Sequence, residues 1–203
     1  MMARGWLLLL CLLGTPLQAS VLDLSALQRQ MAETNTLRCQ FQQEKRVAGL
    51  AVPLRSSGSL LFHRTSGLWW QQSAPFAMTL LLDDSRLVQQ VADGEPEVIT
   101  AQKNPRIFEF AHLLLGLFGG EPAALEQAFT LEFHGAASGW RLLLRPRQAP
   151  LDKIFSGLEM TGKDLMESLV IRDQGGDETR LTFSGCSRTP DTLSDDERRH
   201  FAR

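Results

Sequence analysis

The stretch GSLLFHRTSGLWWQQ, Gly58 to Gln72, decides the fold. Two short apolar-rich runs, 58–64 and 67–72, flank the turn residues Thr65-Ser66-Gly67. Runs of that length, rich in aromatic residues and separated by so short a turn, read as paired antiparallel strands. Upstream, 37–47 alternates Leu37, Cys39 and Phe41 against Arg38, Gln40 and Gln42, a third strand, and Gly49 to Pro53 form the loop between. Downstream, 76–83 and 86–92 flank Asp84-Ser85, and Asp93-Gly94 is a hairpin signal leading into 97–101. The whole is a meander.

The centre of the chain breaks this rhythm. Leu24, Leu27 and Met31 make 22–33 an amphipathic helix ahead of the first strand. Asn104-Pro105 opens a helix over 106–118, which Gly119-Gly120 ends, and 121–129 forms a shorter second helix. Strands return at 130–135, 140–146, 155–162, 165–173 and 179–185. The tail, 193–203, has Ser194 as an N-cap, acids in its first turn and bases in its last, which suits a helix. The expected fold class is mainly β with helices, in one curved antiparallel sheet of roughly ten strands, a size at which open sheets curl. A curled sheet with a helix laid across it is a container.

Composition bounds the rest. The 203 residues are 43% hydrophobic and 22% charged, enough for a core and too balanced for disorder. A net charge of -2 argues against a nucleic-acid protein. Residues 1–19, MMARGWLLLLCLLGTPLQA, carry Arg4, an apolar run and small residues at a cleavage point. That is a secretory signal peptide pattern, and the apolar run is about half of what a membrane-spanning anchor needs. Cys11 follows Leu10 rather than a small residue, which argues against lipidation. The mature part, 20–203, is expected to be a single domain with a tail from about 187, in a compartment where disulfides persist.

Catalytic patterns are missing. There is no G-x-S-x-G, H-E-x-x-H, glycine-rich phosphate loop or C-x-x-C. His63, His112, His134 and His200 lie far apart, and the tight acid pairs Asp83-Asp84 and Asp195-Asp196 sit at a turn and a helix start. The expectation is no enzyme, no catalytic residue, no metal and no cofactor. An acyl-processing enzyme would need a nucleophile beside a base, brought together from distant positions.

What stands out is the placement of apolar residues. Helix 106–118 carries Ile107, Phe108, Phe110, Leu113, Leu114, Leu115, Leu117 and Phe118, apolar nearly all round. Leu60-Leu61-Phe62, Leu68-Trp69-Trp70, Leu80-Leu81-Leu82 and Leu142-Leu143-Leu144 are apolar on both faces of their strands. A two-layer core explains this, and so does a hydrophobic cavity for an apolar ligand.

The order of elements and several local patterns resemble the LolA family, the periplasmic carriers of lipoproteins. Phe41-x-Gln43 lies on the first strand after an amphipathic helix, and Gly58-x-Leu60-x-Phe62-x-Arg64 is the next strand. Trp70 ends the following strand ahead of Pro75, and the strand series from Ile154 to Gly185 has the family's closing rhythm. The resemblance implies an open, incomplete β-barrel with a helical lid. It implies a cavity for the acyl chains of a lipoprotein, received from an inner-membrane transporter and passed to an outer-membrane acceptor. It places Arg64 under the lid as a latch and Trp70 on the cavity wall, although Thr65 stands where the family usually has proline. Strand alternation then puts Leu60, Phe62 and Leu68 inward, with Phe41, Leu80, Leu82, Ile107, Phe108, Phe110, Leu114 and Leu117 as further lining. Without the resemblance, Arg64 reads equally as a strand-end arginine in solvent. Cys39 and Cys186 are either a disulfide tying the ends of the sheet or two buried thiols. The expected protein is a periplasmic monomer without nucleic acid as partner. Alternatives are a carrier or chaperone for another acylated or polyene lipid, or a sensor or adaptor on the same fold.

Overall fold

Alternating apolar side chains need one covered face, and the chain provides it by pairing each strand with the next. In the computed structural model, which describes residues 23–100, 102–119 and 122–202, helix α1 (Leu24–Ala32) leads into β1 (Thr36–Arg46). The meander continues through β2 (Leu54–His63), β3 (Gly67–Ala74), β4 (Met78–Leu82), β5 (Arg86–Val91) and β6 (Glu97–Thr100). Helices α2 (Pro105–Gly119) and α3 (Pro122–Ala128) follow. A second meander runs through β7 (Phe129–Ala136), β8 (Gly139–Pro146), β9 (Phe155–Gly162), β10 (Met166–Asp173) and β11 (Glu178–Ser187), with the short helix α4 (Leu151–Ile154) between β8 and β9. Helix α5 (Asp195–Phe201) ends the fold. The signal peptide expected over 1–19 lies outside the described residues.

All eleven strands form one antiparallel sheet in the order β6-β5-β4-β3-β2-β1-β11-β10-β9-β8-β7. The two meanders meet where β1 pairs with β11, at the centre. The free edges are β6 and β7, so the sheet is curved and not closed. The chain crosses from one edge to the other through α2 and α3, which therefore lie over the concave side. The sequence reading sets the start of the second strand at 58, four residues late. Leu54 to Ser57 are polar or exposed, and they are strand because β1 extends to Arg46 and pairs with them. Helix α4 has no periodic signal in four residues and is not foreseen.

Candidate functional site

Register places the apolar residues in rows across the concave face. Leu37, Phe62, Leu68, Leu82, Leu87 and Ile99 follow one another across six strands. The next row is Cys39, Leu60, Trp70 and Leu80. Phe41 lies one position further along β1 on the same face, with its ring centroid 3.8 Å from that of Trp70. All seven strand residues expected to line a cavity thus share one face. Phe41, Leu60, Phe62, Leu68 and Leu82 are buried, and Trp70 and Leu80 are half-buried against them.

The second meander builds the facing wall from Leu142, Leu144, Leu158, Met160, Leu169 and Phe183. Sequence reasoning names none of these as lining, although the alternation in Trp140-x-Leu142-x-Leu144 carries the signal.

Helix α2 occupies the space between the walls. Ala111, Leu117 and Phe118 belong to the same buried cluster as the sheet residues, with Leu113 and Leu115 packed against it. Phe118 meets Phe183 edge to face at 5.9 Å. Phe108 and Leu117 are buried, whereas the side chains of Ile107, Phe110 and Leu114 lie outside the described residues. Two small voids, of about 30 and 10 Å³, lie where α1 meets the second meander, the larger beside Leu117 and Phe118 of α2 and the smaller beside Leu125 of α3. Among the described residues, the concave face is apolar and Ala111, Leu117 and Phe118 of α2 pack onto it.

Helix α1 closes one side and touches α2. Asp23 caps its start through the Ala26 N–H, at 2.6 Å. Arg64, just past the end of β2, is exposed and caps the other end. Its Nη2 donates to the carbonyls of Met31 at 3.2 Å, Ala32 at 2.5 Å and Thr34 at 2.8 Å. A cation on the last carbonyls of a helix satisfies orphan acceptors and complements the helix dipole. The structure thus ties Arg64 to α1.

Cys39 and Cys186 form a disulfide, with their Cα atoms 4.2 Å apart, across the β1–β11 seam. On the convex face, Leu61, Trp69 and Leu81 pack against Leu193 and Phe201 of the tail. The tail is fastened there by Arg38, whose Nε and Nη2 donate to Glu197 at 2.5 and 2.8 Å. That pairing pulls the Glu197 carboxyl down to about 2. Among the described residues no group of three or more His, Cys, Asp or Glu gathers as a metal site, and no helix is long and apolar enough to cross a membrane.

An open antiparallel sheet with an apolar hollow, stoppered by a helical insert running between its two edges, is an open-barrel fold with a helical cover. The chain belongs to the LolA family: the family profile, described as outer membrane lipoprotein carrier protein LolA, matches residues 32–197. An outer-membrane lipoprotein carrier protein of Cupriavidus pinatubonensis (strain JMP 134 / LMG 1197) is 29% identical over 149 residues, 70% of this chain. The match spans 64% of that relative's length, just under two thirds. A protein of the same description from Dechloromonas aromatica (strain RCB) is 25% identical over 193 residues, covering 89% of this chain and 84% of its own. The crystal structure of a LolA superfamily protein from Nitrosomonas europaea aligns with a TM-score of 0.46 at 9% identity, over 83% of this chain and 93% of that one.

Proposed function

We propose that the mature chain is a periplasmic carrier that takes the acyl chains of lipoproteins onto the concave face of its sheet and moves them from the inner to the outer membrane. The observation that carries this reading is α2, a helix apolar nearly all round and lodged in an apolar hollow. A two-layer core needs only one apolar stripe on its helix. A helix that must cover the hollow when empty, and be covered by cargo when displaced, benefits from more. Acyl chains bind such a surface at about 0.8 kcal/mol per buried CH₂, without demanding a fixed shape. In this reading cargo enters by displacing α2 side chains such as Leu117 and Phe118 from the concave face. Trp70, Leu80 and Phe41 are wall, α1 and α2 are lid, and Arg64 is the latch that holds α1 in place. An inner-membrane transporter and an outer-membrane acceptor are the partners, and the carrier works as a monomer after loss of residues 1–19.

Native mass spectrometry of the protein taken from its own periplasm tests this. A lipoprotein adduct is the expected result. A free acylated lipid as the only adduct would assign the same hollow to another cargo. Protein that emerges empty and takes up no fluorescent acyl probe would refute the reading.

A further inference from the structure

Hairpin tips in water are normally polar, because they are short, exposed and rich in turn residues. The tip between β1 and β2 is not. From Val47 to Leu54 it reads VAGLAVPL, eight residues without a polar side chain, set between Lys45-Arg46 and Arg55. Leu50, Val52 and Leu54 are 56%, 74% and 56% exposed. Clustered exposed aliphatics mark a binding surface more often than isolated ones do.

The tip is also held in shape. The Leu50 N–H donates to the Val47 carbonyl at 3.0 Å, closing a turn in which Gly49 has φ of +86°, as its third position requires. Asp177 anchors the base, accepting from the Ala48 N–H at 2.9 Å and pairing with Lys45 at 3.4 Å. These bonds present the aliphatic side chains outward.

Arginines ring the base. Arg46, Arg55 and Arg180 line a groove of about 540 Å³ beneath the tip, on the convex side. Glu44 pairs with Arg46 at 2.9 Å and Arg55 at 3.2 Å and so offsets one charge, and Glu178 pairs with Arg180 at 3.3 Å. The guanidinium groups of Arg46 and Arg55 remain 71% and 75% exposed. The antiparallel order puts the β3–β4 loop and α4 at the same end of the sheet, with Phe76 54% and Ile154 43% exposed.

We propose that the β1–β2 loop is a membrane-docking tip: Leu50, Val52 and Leu54 enter the interface of an anionic phospholipid layer, and Arg46, Arg55 and Arg180 meet its phosphates. Apolar side chains ahead of a collar of cations are the arrangement an anionic bilayer surface selects. Dimensions agree. The four residues from Arg46 to Leu50 reach at most about 14 Å, against an interfacial depth of roughly 5–10 Å. The chain carries a net charge of -2 and the β5–β6 hairpin at the same end holds exposed Asp93 and Glu95, so attraction to anionic lipid is local to the β1–β2 tip and its arginines. The inference stands apart from what the concave hollow carries.

Co-sedimentation with vesicles tests it, using the mature chain with its disulfide intact. Vesicles of phosphatidylglycerol and phosphatidylcholine in equal parts should bind it, less so as salt rises, and pure phosphatidylcholine should bind it far more weakly. The triple variant Leu50→Ser, Val52→Ser, Leu54→Ser should bind about 100-fold more weakly. The double variant Arg46→Gln, Arg55→Gln should bind about twentyfold more weakly with the apolar tip intact. An unchanged thermal midpoint and unchanged acyl-probe uptake establish that each variant is folded. No sedimentation with anionic vesicles, equal binding to both vesicle types, or serine variants that bind like the parent would overturn the proposal. So would self-association abolished by the serine variants in the absence of vesicle binding.

Discussion

Replacing Gly119 with alanine should loosen the cover over the concave face while leaving the sheet intact. Gly119 is the last residue of α2, and a Cβ built there lies 2.9 Å from Phe62 Cζ and 3.5 Å from Cε2. Carbon atoms pack best at about 3.5–4.0 Å, so the ring or the helix must retreat by roughly 0.6–1 Å. Phe62 cannot turn away freely. It is 4% exposed, with Leu37 and Leu68 beside it in the ladder. Overpacking of this kind costs about 1–3 kcal/mol. Alanine also favours the helix, by up to about 1 kcal/mol, but that gain is shared by closed and displaced α2 and cancels between them. The clash does not cancel, because it exists only when α2 is seated. If binding requires displacement of α2, the apparent affinity for a fluorescent acyl probe should rise about 5- to 150-fold. The thermal midpoint should change little, since clash and propensity oppose each other there. The double variant Gly119→Ala, Phe62→Leu shortens the ring that is struck and should restore the parental affinity in a double-mutant cycle. Probe affinity unchanged or weakened by Gly119→Ala, in a folded protein, would refute displacement as the route of binding.

Other perturbations read other parts of the arrangement. Arg64→Leu removes three carbonyl contacts from the end of α1; amide exchange in α1 should accelerate while that of β1 and β11 does not. Trp70→Ala should weaken acyl-probe binding by about tenfold, as expected for losing a large wall side chain. Cys39→Ser with Cys186→Ser opens a link between residues 147 apart in sequence and should cost about 2–5 kcal/mol in denaturant unfolding. The Glu197 carboxyl is pulled down to about 2 by Arg38, so its contribution is present above the ordinary value of 4.5 and is lost as pH falls toward 2. With both side chains about one-fifth exposed, the loss should be at most about 2 kcal/mol, and Glu197→Gln should flatten that part of the acid-unfolding curve.

Most of the fold was legible because it is local. Strands of four to eleven residues separated by Asp-Ser, Asp-Gly and Gly-Lys-Asp turns leave little choice but a meander, and α2 announces itself by Pro105 and its apolar run. The pairing of β1 with β11 is not local, and nothing in the residues between 46 and 178 announces it. The triplets Leu60-Leu61-Phe62 and Leu68-Trp69-Trp70 show where pattern alone stops. Apolar residues on both faces suggest a thick core or a cavity wall. In the structure only alternate members face the hollow, while Leu61 and Trp69 face the tail. The tail's helix is readable from Ser194 and its charges, but its docking site is set by Arg38 and Glu197, 159 positions apart. Arg64 likewise reads as a cation at a strand end, and only the fold brings the end of α1 under it.

The proposed mechanism needs cargo to bind firmly and still leave, and the architecture allows both. A helix side chain and a few methylenes bury comparable apolar area at about 25 cal/mol per Å². Exchanging one for the other on the concave face is therefore close to neutral, where filling an empty cavity would be strongly favourable and hard to reverse. The helix that is displaced does not diffuse away. It is joined to edge strand β6 on one side and, through α3, to edge strand β7 on the other, so it remains at high effective concentration over the face it left. The same mechanism would confine opening to the helices. The two meanders are pinned to each other by the β1–β11 ladder and by the Cys39–Cys186 disulfide across it, so the wall that holds Phe41 and Trp70 would keep its shape if α2 were displaced. In the proposed mechanism, a rigid apolar wall with a tethered helix as competitor for it would set the release of cargo by competition and not by unfolding.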